Sequence, residues 1–537
     1  MVLKSRTYAL MVMMAWASTM FVLLKHLQYG ITERSRENAK IQPHALVSNI
    51  SRGKFRSREK TTSYLGKVED ENKIFIQLEP EPINSIQTSW DLQREAVRCM
   101  FQDAWTVYKK HAFGCDEVLP ISMKCVDSFG NIGTTVIDSL DTLILLGLEE
   151  EFEQAVAWIA EHYTLEHVTM ISVFETTIRN LGGLLSAYNL RPLPVLLEAA
   201  EMTGEWLLGA YATPSGLPAF AMGPGELPKN AKSTSLADAG TQLLEHSELS
   251  NLTKRHIFKD SAKRAFEVLL QELEKRIQDG RNALLPVDIQ LMESSVSFGG
   301  SLSIGPKGDS FYEYLLKLWI YEGKPESLER YRLLWESTMD AMIEKLLVRD
   351  AGTGLVYLGD GKENVESVSN RMHHLACFVP GMLALGAEGH NTEKYLQVAK
   401  DLAYTCWQMY QLQPTKLAAD SASFSSGRLW AASRHHCLRP EVVESLFYLW
   451  RRTGDPIYRE QAWEIAKALN QSSRVATGGF TTLLNVESGE KGDFTPSFFY
   501  SETLKYLYLI FSPNDIVPLQ DFVFNTEAHP FPIRKGE

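Results

Sequence analysis

Cysteine is scarce and scattered in this chain. Six cysteines in 537 residues (Cys99, Cys115, Cys125, Cys377, Cys406 and Cys437) are too few for a disulfide-built scaffold, and they lack metal-ligand spacing. Zinc-spaced histidines are missing too. His373-His374 and His435-His436 are adjacent pairs, whose side chains on a helix would point about 100° apart and chelate poorly. No glycine-rich phosphate loop and no nucleophile elbow is present, which excludes the P-loop and serine-hydrolase chemistries those turns serve. A basic stripe is likewise absent from the globular part. With 54 Lys and Arg against 66 Asp and Glu, the net charge of −12 leaves no nucleic-acid footprint and reads as ordinary solubility.

What is present begins at the start of the chain. Thr7 to Leu24 is an uncharged, mostly apolar stretch flanked by Lys4, Arg6 and Lys25. At ~1.5 Å per residue it covers about 27 Å, enough for a thin bilayer with its basic flanks snorkelling. A cleavable signal peptide is the competing reading. The apolar run, however, continues past Ala15 and Ala17 to Leu24, beyond the length of a signal core. The expected organisation is a cytosolic tail at 1–6, a signal anchor at 7–24, a polar lumenal stem at 25–88 and a globular domain at 89–537. That topology is of type II. The stem lacks sustained apolar periodicity, whereas amphipathic helical pattern starts near Trp90. Sequons at Asn49, Asn251 and Asn470 fit a lumenal domain, as do one or two disulfides stapling a large core.

Within the globular part an acidic residue opens a Leu-, Tyr- and Phe-rich helical run five times, at Glu175, Glu245, Asp309, Glu441 and Glu502. These starts lie 70, 64, 132 and 61 residues apart, so the long gap conceals about one unmarked unit. A repeat of roughly 60–70 residues is the length of one pair of long helices with loops. A ring of such pairs would gather acids from distant positions around one axis, and carboxylates facing a shared cavity are the means of glycosidic bond cleavage.

Each acid also has a plainer reading. Glu175 and Arg179 share a helix face and could form a surface ion pair, although Val173, Phe174, Ile178 and Leu181 around them are apolar. Asp309 could be a helix cap, and Glu441 and Glu444 could serve the helix dipole after Arg439-Pro440. The run Phe522 to Ile533 reads as strand, polar turn and strand, with Thr526, Glu527 and His529 at the turn. Set into the mouth of a helical ring, that turn would place hard oxygen donors beside carboxylates, which suits calcium better than zinc.

The longer motifs resemble the class I α-1,2-mannosidases of glycoside hydrolase family 47, from about Trp90 to the C-terminus. The resemblance is carried by Ile137-Asp-Ser-Leu-Asp-Thr-Leu, Val173-Phe-Glu-Thr-Thr-Ile-Arg-Asn-Leu-Gly-Gly, Gly308-Asp-Ser-Phe-Tyr-Glu-Tyr-Leu-Leu-Lys and His374-Leu-Ala-Cys-Phe-Val-Pro-Gly. Leu438-Arg-Pro-Glu-Val-Val-Glu, Ser497-Phe-Phe-Tyr-Ser-Glu-Thr-Leu and Asn525-Thr-Glu-Ala-His-Pro follow in the same order. The resemblance implies an all-α (αα)7 barrel plugged by a C-terminal β-hairpin, working as an inverting, Ca²⁺-dependent exo-mannosidase on high-mannose N-glycans in the endoplasmic reticulum or Golgi. It implies Glu175, Asp309 and Glu441 as catalytic carboxylates, with Glu441 the base and Glu175 preferred over Asp309 as the acid. Thr526 would hold the metal. Arg179, Asp238, Lys307, His374, Arg439, Glu444, Phe498 and Glu502 would line the pocket, and Cys377 and Cys406 would form the family disulfide.

Several positions depart from the family pattern. Asp238 replaces the usual Glu, Thr415 and Pro496 replace acids, His373 stands where Asp is frequent, and Lys307 occupies a branch-selecting position. These departures motivate a second reading, a catalytically weak mannose-binding lectin of glycoprotein quality control. The intact acid trio with Thr526 separates the two, because binding alone requires neither a base nor an acid.

Overall fold

A computed structural model describes residues 89–535 apart from 169, 224–230, 294 and 426; the expected tail, anchor, stem and Asn49 sequon lie outside the described residues. Among the described residues no helix is long and apolar enough to cross a membrane.

Two kinds of helix alternate along the chain. Ile257–Gln278 buries Phe258, Ala262, Ala265, Phe266, Leu269 and Leu273 on one stripe and turns its Lys and Glu residues outward, as a helix with one wet face must. Asp309–Tyr321 has no wet face: every residue from Ser310 to Tyr321 is buried, including Glu313 and Lys317, which pair one turn apart. Helices of the second kind form an inner ring, and those of the first kind surround it. The inner helices among the described residues are Leu140–Leu145, Gly182–Leu190, Leu243–Thr253, Asp309–Tyr321, Val379–Gly386, Glu441–Thr453 and Leu504–Phe511. Each of the first six is followed by an outer partner, and Ser89–His111 packs on Leu504–Phe511 as the partner of the seventh, bringing the first helix against the last. This is the expected (αα)7 arrangement. The unit hidden in the long gap is the pair Val379–Gly386 and Thr392–Gln411, which the Cys377–Cys406 disulfide ties together.

Because outer helices return the chain each time, the inner helices all start at the same end. Short strands decorate the loops leading into them: a three-stranded antiparallel sheet of Ser233–Ser235, Asp288–Leu291 and Val296–Gly299 precedes Asp309. Another, of Arg371–His373, Ser421–Ser425 and Arg428–Ser433, precedes Glu441. A second disulfide, Cys115–Cys125, clasps the hairpin after the first helix. Cys99 and Cys437 are free thiols.

The terminal hairpin, Phe522–Phe524 paired with Pro530–Pro532, fills the axis. Phe524 packs against the rings of Phe447, Tyr448 and Tyr506. Its turn is held by buried charge. Lys505 Nζ reaches the Ala528 carbonyl at 2.7 Å and Asp141 at 2.8 Å, while Lys317 Nζ donates to the Asn525 carbonyl at 3.1 Å. His529 lies between Asp141 at 2.8 Å and Asp138 at 3.1 Å. Burial works to discharge that imidazole, but the two aspartates raise its pKa above the ordinary value. Gly182 is required here: a Cβ would stand 2.7 Å from Asn525 Nδ2 and 2.9 Å from His529.

Candidate active site

Two of the inner helices begin irregularly where site residues occur. Val173–Glu175 passes into a π turn at Thr176–Leu181, and a second π turn covers Phe499–Thr503. Such insertions widen a helical turn and cluster at functional sites. The first turns Glu175 and Arg179 toward the barrel mouth, and the second carries Glu502.

Arg179 organises one wall. Its Nε donates to Glu175 at 2.7 Å, and its Nη1 reaches Ser497 Oγ at 3.1 Å and pairs with Glu527. The guanidinium is sandwiched by the rings of Phe129 at 5.3 Å and Phe498 at 5.6 Å. Glu117 accepts the Ser497 N–H at 3.2 Å, fixing the segment that carries Phe498.

The opposite wall centres on Glu441, the first residue of its helix. His374 Nδ1 meets its Oε2 at 2.5 Å, and His374 Nε2 meets the Tyr410 hydroxyl at 2.9 Å. Arg439 is 3.9 Å from the other carboxylate oxygen and also pairs with Asp420 at 2.9 Å. Burial alone would raise the Glu441 pKa; the His374 hydrogen bond and the charges of His374 and Arg439 overcome it and hold the carboxyl below its ordinary value.

Asp309 behaves in the opposite way. Its Oδ1 accepts the Ser310 N–H at 2.8 Å, yet burial, with Glu313 and Glu441 nearby, pushes its pKa up to about 7. Asp238 accepts the Ser235 hydroxyl at 2.5 Å and is raised to about 6 by burial, with Glu175 adding and Lys307 subtracting. Lys307 is exposed and paired with Asp288 at 2.9 Å, its backbone at φ 71°.

Beneath these half-buried groups lies a buried acidic floor of Glu444, Glu502 and Glu527. Burial and mutual repulsion raise all three pKa values well above normal, although Lys317 relieves Glu444 and Arg179 relieves Glu502 and Glu527. Thr526 sits half-buried between floor and mouth, its N–H 3.4 Å from the Tyr314 hydroxyl. Tyr314 donates in turn to Glu245 at 2.5 Å, and Glu245 also accepts from Asn525 at 2.9 Å. Glu245 is therefore a brace for the hairpin turn, as its place among the acid-led runs had not revealed.

The donors suit a hard divalent cation. Glu527 adjoins Thr526 and repels Glu502, and a cation at the Thr526 hydroxyl and carbonyl would relieve a repulsion between these carboxylates that Arg179 relieves only in part. Their oxygens do not converge: among the described residues the one His/Cys/Asp/Glu trio tight enough to chelate is Cys115, Cys125 and Asp127, whose sulfurs are joined in a disulfide.

The structure thus brings Glu175, Arg179, Asp238, His374, Arg439, Glu441, Glu444, Phe498, Glu502 and Thr526 into one connected set with Asp309, and joins Cys377 to Cys406. Thr415 is elsewhere employed, its hydroxyl donating to the Val486 carbonyl at 2.7 Å. Sequence reasoning placed Glu527 at the polar turn beside Thr526 without assigning it to the site, and left out Asp420 and Tyr410.

Residues 100–533 match the family model described as glycosyl hydrolase family 47. The chain belongs to this family. It is a glycoside hydrolase. A mannosyl-oligosaccharide 1,2-alpha-mannosidase of Arabidopsis thaliana is 40% identical over 451 residues, covering 82% of this chain and 79% of the relative. The human mannosyl-oligosaccharide 1,2-alpha-mannosidase IC is 40% identical over 461 residues, covering 83% and 71%. The solved alpha-1,2-mannosidase from Trichoderma reesei superposes with a TM-score of 0.76 at 29% identity, covering 82% of this chain and 99% of that one.

Proposed function

We propose that this protein is an inverting exo-α-1,2-mannosidase that trims terminal mannose from high-mannose N-glycans. The observation that carries the reading is a split between two carboxyl groups at one barrel mouth, Glu441 held below its ordinary pKa and Asp309 lifted to about 7. At neutral pH the first is a carboxylate able to take a proton from water and the second retains a proton to give, the pairing that glycoside hydrolysis requires.

Glu441 is the general base, oriented by His374 and Arg439. Between the two candidate acids, the electrostatics favour Asp309, whereas the Glu175 carboxylate is committed to Arg179. Glu175 then positions Arg179 and the Phe498 ring, whose face suits a pyranose. Asp238 and Lys307 line the side of the mouth where the next sugar would enter, and Glu444 and Glu502 complete the floor. Thr526 would hold Ca²⁺, which when bound supplies a template for vicinal sugar hydroxyls. Lumenal residence in the secretory pathway, behind an anchor at 7–24 and a stem at 25–88, is supported by the two disulfides of an oxidising compartment.

The test is to incubate the full-length chain with a nine-mannose glycan, with and without a calcium chelator, and to follow mannose release and its anomeric configuration. Release of β-mannose that stops on chelation is expected. Binding without release at any calcium level would leave the lectin reading in its place.

A further inference from the structure

The sheet that precedes Glu441 has two unlike faces. Met372, Ala422 and Phe424 point inward, and Phe424 stacks flat on Tyr357 at 4.0 Å. Strand alternation and the observed register place Arg371, His373, Ser421, Ser423, Ser425, Arg428 and Trp430 on the other face. That face continues directly from the candidate active site. Glu441 contacts Arg439, Arg439 pairs with Asp420, and Asp420 precedes Ser421 at the start of the central strand. His373 pairs with Asp360 at 3.7 Å and feels the charges of Arg371, Asp420 and Arg439, so its side chain lies on the same path.

At the outer end of this path Trp430 is 50% exposed. A large exposed indole requires an explanation when its orientation is fixed, and here it is: Nε1 donates to Ser425 Oγ at 2.9 Å across the hairpin tip. Among the described residues no aromatic ring and no cation stacks on it. Arg371 is fixed likewise, donating to Ser421 Oγ from Nε at 3.0 Å and from Nη2 at 2.6 Å. The result is a held, half-bare aromatic plane beside guanidinium and hydroxyl groups, with no carboxylate on the strands that carry it.

Resting on the proposed function, we infer that this sheet face is a second contact for the same substrate, in which Trp430 stacks on a mannose of an arm of the glycan that is not being cleaved. The chemistry is specific to sugars. A pyranose offers an apolar C–H face to an indole and a rim of hydroxyls to guanidinium groups, and a branched oligosaccharide anchored at one end in the pocket must lay its other arms on the surrounding surface. A fixed ring loses little conformational freedom on contact, so it raises affinity without needing rearrangement. Trp430 acts on binding of the large substrate and touches no reacting atom.

The experiment compares the full-length protein with Trp430→Ala and Trp430→Phe on three substrates: the α-1,2-linked mannose disaccharide, the free nine-mannose glycan, and a glycoprotein carrying that glycan. Trp430→Ala is expected to raise KM for the free glycan and the glycoprotein alike by about five- to tenfold, the scale of one stacking contact. Trp430→Phe should recover most of that loss, and kcat and disaccharide turnover should not move. An unchanged KM for the free glycan overturns the inference. An equal loss on the disaccharide makes the indole part of the fold, and a loss confined to the glycoprotein assigns the face to polypeptide; both also overturn it. If the unaltered protein cleaves none of the three, the proposed activity falls. Titration of the nine-mannose glycan by calorimetry then decides the platform alone, a weaker isotherm for Trp430→Ala supporting it and an unaltered one refuting it.

Discussion

His374 should set the acid limit of activity through Glu441. Its Nδ1 lies 2.5 Å from a carboxylate that is 8% exposed, so replacement by Ala leaves that charge buried with its own backbone N–H and Arg439, 3.9 Å away, in support. A hydrogen bond to an ionised group contributes ~1.5–3 kcal/mol, and one pH unit corresponds to ~1.36 kcal/mol. The Glu441 pKa should therefore rise by about 1–2 units in His374→Ala. The sign follows from the native shift. A base whose pKa is held down stays ionised into acid; without its donor it protonates sooner, and the acid limb of kcat/KM moves to higher pH. On the acid side of the new limb activity should drop by about 10- to 100-fold, and raising the pH should recover most of it. The pH profile of kcat/KM on the nine-mannose glycan reads this directly. Tyr410→Phe keeps the Nδ1 contact, loses only the hydroxyl at Nε2, and should shift the limb by far less. A uniform loss across pH with the limb unmoved would refute the reasoning, because it would mean that His374 places Glu441 without tuning it.

Lys505→Met should lower the thermal midpoint more than any substitution at the mouth. It leaves the Ala528 carbonyl without this donor and Asp141 with His529 and Ser186 in support, a loss of ~3–5 kcal/mol for a broken interior pair; scanning calorimetry checks it. Asp141 is held down to about 2 because Lys505 and His529 outweigh burial. Its stabilising contribution is therefore full above the ordinary carboxyl range and should fade only as pH falls toward 2, which acid-unfolding curves can follow. Loss of the Cys377–Cys406 disulfide, which closes a loop of 29 residues, should cost ~3–4 kcal/mol by chain entropy, measured as a lowered thermal midpoint of the paired serine variant. Of the two described sequons, Asn470 should carry glycan and Asn251 should not. Asn470 is exposed, whereas Asn251 donates its Nδ2 to the Tyr321 hydroxyl at 2.5 Å inside the molecule; peptide mapping after secretion decides.

Periodicity made the ring legible. The spacing of Glu175, Glu245, Asp309, Glu441 and Glu502 marked five of the seven helix pairs and its long gap a sixth, leaving unmarked the pair opened by Leu140–Leu145, and the run from Phe522 to Ile533 announced a hairpin, because both rest on local pattern. What local pattern does not carry is partnership across the ring. Arg179 and Glu527 are 348 residues apart and Asp141 and His529 are 388 apart, so nothing near either residue indicates the other. The same limit concealed the bracing role of Glu245, whose partner Asn525 is 280 residues away. The π turns at Thr176–Leu181 and Phe499–Thr503 were hidden for another reason: a helix that gains one residue in a turn keeps almost the same apolar pattern.

The terminal hairpin also gives the molecule a clock. Its turn supplies Thr526 and Glu527 to the site, and the first helix, Ser89–His111, which reaches the first inner helix through Arg98 Nε on the Leu146 carbonyl at 2.9 Å, gains its main packing partner only when Leu504–Phe511 has been made. A chain emerging from the ribosome therefore carries Glu175, Asp309 and Glu441 early and receives the ring's last stave and the hairpin turn at the end of synthesis. Until then it exposes unpaired inner helices that no wet face protects. The site stays incomplete until that last stretch arrives, and a chain interrupted before residue 522 keeps Glu175, Asp309 and Glu441 but lacks Thr526 and Glu527.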